Sequence, residues 1–455
     1  MPLSVIILAA GQGTRMKSAR PKVIHEVAGK AMLQHVVDVS HELNAQQILV
    51  VIGHGAEQVE QAMQGQGIQF VSQQQQLGTG HAVLQCLDVL ETGNDVLVLY
   101  GDVPLIQAST LNTLVEQGAG ENRVSLLSFQ ADDPTGYGRI VRDRAGHVQA
   151  IVEEKDANDE VRRITESNSG ILFIKGGEVE PLLKSLDNDN AQKEYYLTDV
   201  VKHAVANGHS VGAVICEDEN EVLGVNNQQQ LANIEAILRQ RRADHLMLQG
   251  AKLVDPQRID IRGNLKVGKD VVIDVNCIFE GDVELGDGVR VGANCVITDS
   301  TIGADTTILP MCIVERSHIG EANDLGPYAR IRPDTTTQSK AKIGNFVEIK
   351  KSFIAEGSKV NHLTYIGDAE IGSNVNVGAG TITCNYDGAF KHKTTIEDDV
   401  FVGSGTQLVA PVRLARGTTV GAGSTVTKDT AANDLVVTRA KQVAIKGWQR
   451  PKKDK

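Results

Sequence analysis

In the second half of this 455-residue chain, one apolar residue recurs every six positions. Neither the 3.6-residue period of an α-helix nor the two-residue period of a strand produces this spacing. A six-residue repeat instead winds a parallel β-helix, in which one apolar side chain per flat face points inward and each coil covers the next. The step shortens to five residues twice, before Ile302 and before Ile313. The repeat residues are Val267, Ile273, Phe279, Leu285, Val291, Ile297, Ile302, Ile308, Ile313, Ile319, Leu325 and Ile331, and later Ile396, Val402, Leu408, Leu414, Val420 and Val426.

The same count places three of the six cysteines one above another. Cys277, Cys295 and Cys312 each lie four positions after a repeat residue, and three repeats make one turn, so we expect a column of thiols. A ladder of metal ligands is one interpretation, and small inward-facing filler is the one that we favour. Because the cysteines include no CxxC pair, the sequence predicts a reduced, cytoplasmic protein.

The overall charge limits the kinds of molecule that the chain is expected to bind. A net charge of −12 argues against a nucleic-acid binder, which would show a basic face. Small phosphorylated ligands remain compatible, because a glycine-rich loop and a few local cations can hold phosphates on an acidic protein. No apolar run is long enough to cross a membrane, so no membrane partner is expected.

The first half of the chain alternates short β-branched runs with stretches of helical spacing. The runs at 5–9, 48–52, 96–100 and 124–129 predict the strands of a parallel or mostly parallel α/β sheet. Ligands of such sheets sit at the carboxyl ends of the strands. From about residue 228 the pattern becomes helical, either as a linker between domains or as the last helix of the first domain. We therefore expect a first domain at 1–228, a helical linker at 229–249, and a β-helix domain with a C-terminal tail at 250–455.

A glycine-rich turn follows the first predicted strand. Its glycines, Gly11 and Gly13, let backbone amides approach phosphate oxygens, and Arg15 and Lys22 supply positive charge. The turn lacks the Gly-Lys-Ser/Thr of a P-loop and the third glycine of a dinucleotide fingerprint, so by itself it also fits a plain strand-to-helix turn. Asp102 ends another strand, where it could ligate Mg²⁺.

The repeat is interrupted by polar segments at 332–342 and 383–393, which predict loops on the binding side of a solenoid. Between them lies His362, the one strong candidate for a base that takes a proton from an attacking amine. The alternative interpretation is a structural histidine whose hydrogen bonds are satisfied at a corner of a coil. Glu348 is a candidate to orient His362.

Several further motifs join these landmarks into a family resemblance. They are Leu77-Gly78-Thr79-Gly80, Gly136-Tyr137-Gly138-Arg139-Ile140, Ile151-Val152-Glu153, Asn168-Ser169-Gly170 and Gly224-Val225-Asn226-Asn227. With the turn at 8–16 they resemble the sugar nucleotidyltransferases. Nearly the whole chain resembles the bacterial bifunctional enzymes that combine an N-acetylglucosamine-1-phosphate uridylyltransferase with a glucosamine-1-phosphate N-acetyltransferase. One departure is Ser169, where that family's pattern has Thr.

The resemblance implies a Rossmann-like α/β nucleotidyltransferase domain, a long linking helix and a left-handed parallel β-helix of hexapeptide repeats. It implies Mg²⁺ held by Asp102 and Asn226, the substrates UTP and acetyl-CoA, a homotrimer, and synthesis of UDP-N-acetylglucosamine. It implies catalytic roles for His362 in acetyl transfer and for Arg15 and Lys22 on the phosphates. The implied nucleotide and sugar contacts are Leu8, Ala9, Ala10, Gly11, Lys22, Gln73, Gly78, Thr79, Tyr100, Gly101, Asp102, Gly138, Glu153, Asn168 and Asn226. In the β-helix, the implied amino-sugar contacts are Arg332, Lys350, Tyr365, Asn376, Asn385 and Tyr386, and the implied acetyl-CoA contacts are Ala379, Ser404, Ala422 and Arg439.

Two other functions fit parts of the same sequence. In one, the first half is a nucleotidyltransferase and the β-helix only regulates or assembles it. In the other, the solenoid is a binding scaffold without catalysis. Both predict an uninterrupted repeat that lacks catalytic residues, and the loops with His362, Tyr365 and Asn385 argue against them.

Overall fold

The computed structural model describes residues 2–120 and 122–451, and the chain divides into two compact units at 1–238 and 239–455. In the described part of the chain, no helix is long and apolar enough to span a membrane. Each unit has its own core.

The first unit is built on a mixed sheet with the strand order β11-β7-β10-β6-β1-β4-β5. The strands β1, β4, β5 and β6 run parallel, whereas β10 runs antiparallel to both of its neighbours. A hairpin of β8 and β9 attaches to β10. The strands are β1 Leu3–Leu8, β2 Glu26–Val27, β3 Lys30–Ala31, β4 Gln47–Ile52, β5 Gln69–Ser72, β6 Asp95–Tyr100, β7 Val124–Gln130, β8 Arg139–Arg142, β9 Val148–Val152, β10 Glu166–Ile174 and β11 Val211–Cys216. The helices of the chain are α1 Met32–Glu42, α2 Ala56–Ala62, α3 Thr79–Leu84, α4 Ala108–Ala119, α5 Gly176–Lys184, α6 Asp199–Ala206 and α7 Gln228–Leu248.

The central strands are near-continuous runs of Val, Ile and Leu because both faces of the sheet are covered. Strand β1 is buried from Leu3 to Ile7, and β6 is buried from Asp95 to Leu99. The carboxyl ends of β1, β4, β5 and β6 meet at one edge of the sheet. The glycine-rich turn, Gln73 and Asp102 all follow these ends, as the sequence predicts.

Helix α7 carries the chain between the two domains. In the first unit Ile234 is buried, with Leu231 and Leu238 packed beside it, and in the second unit Leu246 belongs to the core of the β-helix. The chain leaves the helix through Gly250, whose φ of 99° is favourable only for glycine.

The second unit is a parallel β-helix whose strands form two long ladders. The shorter ladder contains β12 Lys252–Leu253, β14 Val272–Ile273, β16 Arg290–Val291, β19 Thr307–Ile308, β22 Asp324–Leu325, β25 Lys342–Asn345, β28 Lys359–His362, β31 Asn376–Val377, β34 Phe401–Val402, β37 Thr419–Val420 and β39 Leu435–Val436. The longer ladder contains β13 Ile259–Val267, β15 Cys277–Leu285, β17 Val296–Thr298, β18 Thr301–Ile302, β20 Ile313–Glu315, β21 Ser317–Ile319, β23 Arg330–Ile331, β24 Thr335–Thr337, β26 Glu348–Lys350, β27 Phe353–Ile354, β29 Tyr365–Gly367, β30 Ala369–Ile371, β32 Ile382–Cys384, β33 Thr394–Ile396, β35 Gln407–Val409, β36 Val412–Leu414 and β38 Thr425–Val426.

The six-residue repeat supplies the core of this β-helix, with one correction. Val267 packs against the core, and every other repeat residue except Ile313 is buried in it. Ile313 is 40% exposed, and its neighbour Val314 is buried instead. The step from Ile308 is therefore six residues long, and the five-residue step falls one repeat later, between Val314 and Ile319. Two adjacent β-branched residues, Ile313 and Val314, fit the period almost equally well, which is why the sequence pattern misplaces the shortened step.

The column of cysteines is confirmed. Cys277, Cys295 and Cys312 are each fully buried, and the backbone of each coil bonds to the next at this position. Burial raises the pKa of the Cys277 thiol to about 11. None of the six cysteines, all of which lie within the described residues, forms a disulfide.

Candidate active sites

A cleft of about 320 Å³ opens at the edge where the parallel strands of the first unit end. It brings together most of the residues that the sequence predicts for nucleotide binding, although they are far apart in the chain. Its lining contains Leu8, Ala9, Ala10, Gly11, Lys22, Gln73, Gly78, Thr79, Tyr100 and Asp102, together with Val23, Gln76, Ala82 and Glu194.

Hydrogen bonds order one side of this cleft. The Gln73 side-chain amide donates to Gly78 O at 3.1 Å, so two of the predicted nucleotide contacts are already joined. The Gln76 amide donates to Ala10 O at 2.6 Å and ties the glycine-rich turn to the loop after β5. Gln76 is a residue that sequence reasoning missed, although its place in the run of four glutamines at 73–76 directly after β5 is a usable signal.

The other side of the cleft concentrates charge. The Lys22 ammonium donates to the Asp102 carboxylate and, at 3.2 Å, to Asn226 Oδ1. Arg15 donates to the same Asn226 oxygen at 2.9 Å. The oxygens of Asp102 and Asn226 therefore converge on one position that a cation already occupies.

This donor set fits Mg²⁺. A carboxylate and an amide oxygen are hard ligands, and Mg²⁺ is commonly held by one or two carboxylates together with waters and substrate phosphates. In the described part of the chain, no group of three or more His, Cys, Asp and Glu side chains could hold a metal ion by itself. Waters and the phosphates of a nucleotide would complete the coordination.

The predicted sugar contacts lie where β8, β9 and β10 meet. The Asn168 N–H donates to Gly138 O at 2.8 Å, and Asn168 Oδ1 accepts from Gly170 N–H at 3.1 Å. Glu153 accepts from the Thr198 hydroxyl at 3.1 Å, and burial raises the pKa of the Glu153 carboxyl.

In the β-helix, His362 ends strand β28, and its side chain is exposed. Its Nδ1 lies 2.7 Å from Asn345 Oδ1, one coil below. With that oxygen as acceptor, Nδ1 carries the hydrogen and Nε2 keeps the lone pair that a general base needs. The structure corrects the expectation for Glu348, whose carboxylate pairs with Arg332 at 2.7 Å instead. Asn345, not Glu348, is the residue that orients His362.

Three cations gather at another place on the β-helix, Arg332, Lys350 and Lys391. Strand β26 carries Lys350 and pairs with β29, which carries Tyr365. The pKa of Lys350 is lowered, first by the ammonium of Lys391 against it and then by Arg332. Lys391, which sequence reasoning missed, lies in the polar segment at 383–393, and the Lys-His-Lys run at 391–393 is its signal.

Polar side chains line the surface beside these cations. A Cβ added at Gly367 would lie 2.3 Å from the Tyr365 hydroxyl and 2.8 Å from Asn385 Nδ2, so glycine makes room for both groups. Asn385 donates to Asp368 at 2.5 Å. Asn376 lies on β31, the neighbour of β28. Tyr386 stands apart, since it is 60% exposed and its hydroxyl donates to Gly388 O in its own loop.

The predicted acetyl-CoA contacts follow His362 up one corner of the β-helix. Gly380 N–H donates to His362 O at 3.2 Å, Gly405 N–H to Ala379 O at 2.7 Å, and Gly423 N–H to Ser404 O at 2.8 Å. At the next coil, Arg439 Cδ lies 3.8 Å from the position of a Cβ added at Gly423. Ala422 precedes Gly423. The corner that begins at His362 is therefore lined by small residues and ends at an arginine.

Comparisons with known proteins match both halves of the chain. A family model described as a MobA-like NTP transferase domain matches residues 5–170, a six-repeat bacterial transferase hexapeptide model matches 264–299, and a model of the hexapeptide repeat of succinyl-transferase matches 393–428. The chain is 54% identical to the bifunctional protein GlmU of Azoarcus sp. (strain BH72) over 453 residues, covering 100% of both. It is 53% identical to that of Ralstonia nicotianae and 53% identical to that of Marinobacter nauticus, each over at least 99% of both chains.

The chain belongs to the bifunctional GlmU family. It is an enzyme that combines the uridylyltransferase and acetyltransferase activities of that family. Membership removes the two alternatives in which the β-helix has no chemistry of its own.

Proposed function

We propose that the GlmU-family chain uses its two sites for consecutive steps toward UDP-N-acetylglucosamine. The β-helix acetylates glucosamine 1-phosphate with acetyl-CoA. The first domain then transfers UMP from UTP to the resulting N-acetylglucosamine 1-phosphate and releases pyrophosphate. The observation that carries the proposal is the hydrogen bond between His362 Nδ1 and Asn345 Oδ1, which leaves Nε2 free to accept a proton.

In acetyl transfer, the amine of the sugar attacks the thioester carbon, and the bond from that carbon to sulfur breaks. His362 Nε2 takes the proton that the amine loses, while Asn345 keeps Nδ1 protonated. Arg332 and Lys350, with Lys391, hold the sugar phosphate by charge. The surface of Tyr365, Asn376, Asn385 and Tyr386 receives the amino sugar, and the corner of Ala379, Ser404, Ala422 and Arg439 receives acetyl-CoA.

Uridylyl transfer needs no protein nucleophile, because a phosphate oxygen of the sugar attacks the α-phosphorus of UTP in line and pyrophosphate leaves. Arg15 and Lys22 offset the charge that gathers on the transferred and leaving phosphates. Mg²⁺ held by Asp102 and Asn226 would supply further charge neutralisation when bound. The uracil contacts are Gln73, Gly78 and Thr79, and the sugar contacts are Gly138, Glu153 and Asn168. The walls of the nucleotide cleft are Leu8, Ala9, Ala10, Gly11 and Tyr100, and Gly101 directly follows Tyr100.

We propose that the enzyme is a homotrimer. The coils that follow His362 in the chain carry glycines at this corner of the β-helix. At the same corner, the preceding coils and the coil of His362 carry large apolar side chains, which are 43–64% exposed. They are Met311, Tyr328, Phe346 and Leu363, and the rings of Tyr328 and Phe346 stack at 5.1 Å. Such an exposed apolar column favours burial against another copy. The reduced state of the six cysteines supports a cytoplasmic location.

The test is acetyl transfer from acetyl-CoA to glucosamine 1-phosphate, followed as thiol release. His362→Ala should lose a factor of about 10²–10⁴ while uridylyl transfer by the same preparation stays unchanged. The control is His318→Ala, since His318 is an exposed histidine on another coil. Full acetyl transfer by the His362 variant would refute the proposed base. No acetyl transfer in the well-folded wild type would leave a uridylyltransferase whose β-helix serves assembly or regulation.

A further inference from the structure

The three proposed sugar contacts of the first domain surround one residue, Arg139. Gly138 directly precedes it in the chain. On the neighbouring strands, Arg139 pairs with Val152 of β9 and with Ser167 of β10. Each of these partners is directly followed by a proposed sugar contact, Glu153 after one and Asn168 after the other.

The Arg139 side chain is buried although it carries a charge. Only 2% of it is exposed, and it heads the fully buried side chains of the described residues by volume. Its guanidinium lies 2.7 Å from Glu154 Oε2 and donates through Nη1 to Tyr137 O. Burying an ion pair costs desolvation energy that an apolar pair would avoid, so the pair is weak evidence for a purely stabilising role.

Both partners of the guanidinium belong to segments that carry a sugar contact. Tyr137 precedes Gly138, and Glu154 follows Glu153. A Cβ added at Gly138 would lie 3.3 Å from Glu153 Oε1, so Gly138 and Glu153 line the same small space. A buried guanidinium therefore links these two segments in addition to the backbone pairing of β8 with β9.

We propose that Arg139 is a positioning residue for N-acetylglucosamine 1-phosphate. Its guanidinium holds the segment of Gly138 and the segment of Glu153 at the separation at which both contact the sugar. The inference rests on the proposed function, because it takes Gly138, Glu153 and Asn168 as the sugar contacts. The uracil contact Gln73 should be spared, because it follows β5, which is separated from β10 by β6, β1 and β4.

A matched control lies three residues along the same strand. Arg142 pairs with Glu166 through two contacts, at 2.6 and 2.7 Å, and donates to Gly146 O at 2.9 Å. It is an arginine of β8 with a carboxylate partner, as Arg139 is. Neither of its partners directly precedes or follows a proposed sugar contact, and its side chain is 30% exposed.

The experiment uses the full-length enzyme and measures uridylyl transfer with each substrate varied in turn. The variants are Arg139→Lys, which keeps the charge and loses the fork of donors, Glu154→Gln, Arg142→Lys and, as a reference for the sugar site, Glu153→Gln. We expect Arg139→Lys and Glu154→Gln to raise the KM for N-acetylglucosamine 1-phosphate by about 10- to 100-fold. The KM for UTP in these variants, and both KM values in Arg142→Lys, should change by less than about fivefold.

Each other outcome is decisive. If Glu153→Gln raises the KM for the sugar phosphate and the Arg139 and Glu154 variants do not, the positioning role is wrong and the proposed function stands. If Glu153→Gln also has no effect, the proposed sugar site itself is wrong. An equal rise in both KM values would show that Arg139 supports the domain in general. If Arg139→Lys does not bind UTP at all, the KM of Glu154→Gln for N-acetylglucosamine 1-phosphate tests the proposal, because this variant keeps the arginine.

Discussion

Lys22 and Asp102 pair through their ammonium and carboxylate groups, and the two side chains are only 14% and 16% exposed. Asn226 accepts from the same ammonium. A lysine thus occupies the position on which the two proposed metal ligands converge. A divalent cation and Lys22 cannot both take that position, and the phosphates of a nucleotide are the natural alternative partner for the lysine.

The first prediction concerns metal binding to the free enzyme. Lys22→Gln should bind Mn²⁺ about tenfold more tightly than the wild type in the absence of nucleotide, since the competing ammonium is gone. Uridylyl transfer should fall in the same variant, so binding and activity should move in opposite directions. Titration of Mn²⁺ by electron paramagnetic resonance measures the affinity, with Lys30→Gln as a control, because its pairing with Asp38 is exposed. Unchanged Mn²⁺ affinity would refute the competition.

The second prediction separates the two activities. Arg15→Ala should lower uridylyl transfer by about 100-fold, because the variant loses a cation that offsets charge on the phosphates. Acetyl transfer should be unaffected, since Arg15 and His362 lie in different compact units. Both activities are measured on one preparation. Parallel loss of both would contradict separate sites.

The third prediction concerns the orientation of His362. Asn345→Ala should lower the kcat of acetyl transfer by about 10- to 100-fold without a comparable rise in the KM for glucosamine 1-phosphate. The reason is that Asn345 Oδ1 holds the ring and its tautomer, whereas the proposed phosphate site consists of Arg332, Lys350 and Lys391. Asn345→Asp keeps an acceptor in place and should retain more activity than the alanine variant. If Glu348→Gln had the larger effect on kcat, the orienting role would return to Glu348.

The fourth prediction follows from the buried carboxyl of Glu153, whose pKa is raised above its ordinary 4.5 by burial. A raised pKa means that folding disfavours the ionised form, so Glu153 costs stability above its folded pKa and nothing well below pH 4.5. Glu153→Gln should therefore raise the melting temperature of the first domain at pH 7, by about 2–4 °C per kcal/mol gained. This gain in melting temperature should vanish as the pH falls below 4.5. Calorimetry of both proteins at pH 7 and well below pH 4.5 would measure it. A gain independent of pH would contradict this origin.

The fifth prediction concerns thiol reactivity. Cys277, Cys295 and Cys312 should react with a disulfide reagent at least ~100-fold more slowly than in the unfolded chain, because reaction requires opening of the coils. Cys384 is the one partly exposed thiol and should react first. Mass spectrometry after timed labelling identifies the modified residue. Fast reaction of all three column thiols would mean that the column is open to solvent.

The repeating half of the chain was the more predictable one from sequence. A strict period assigns each residue to the inside or the outside of a coil, and only the ambiguous neighbours Ile313 and Val314 led to an error. In the first domain the strands and their site-bearing ends were also predictable, because buried parallel strands have a distinctive composition. The antiparallel course of β10 was not, since strand direction leaves no local trace in the sequence.

The residues that sequence reasoning missed act through contacts between segments. Asn345 meets His362 only because two coils stack in register. Gln76 bonds to Ala10 across two strand ends, and Lys391 reaches Lys350 from a loop outside the repeat. Spacing along one segment cannot reveal such partners, because they depend on how separate segments are juxtaposed.

The pairing of the β-helix has a consequence for how the protein is made. Its strands pair with those of the next coil, which lie 16 to 25 residues further along the chain, so the domain can grow coil by coil as synthesis proceeds. The first domain cannot do so, because β11 must pair with β7 across three strands and two helices of intervening chain. During synthesis on a ribosome, the first domain would therefore complete its sheet late, whereas the β-helix would fold almost as fast as it emerges.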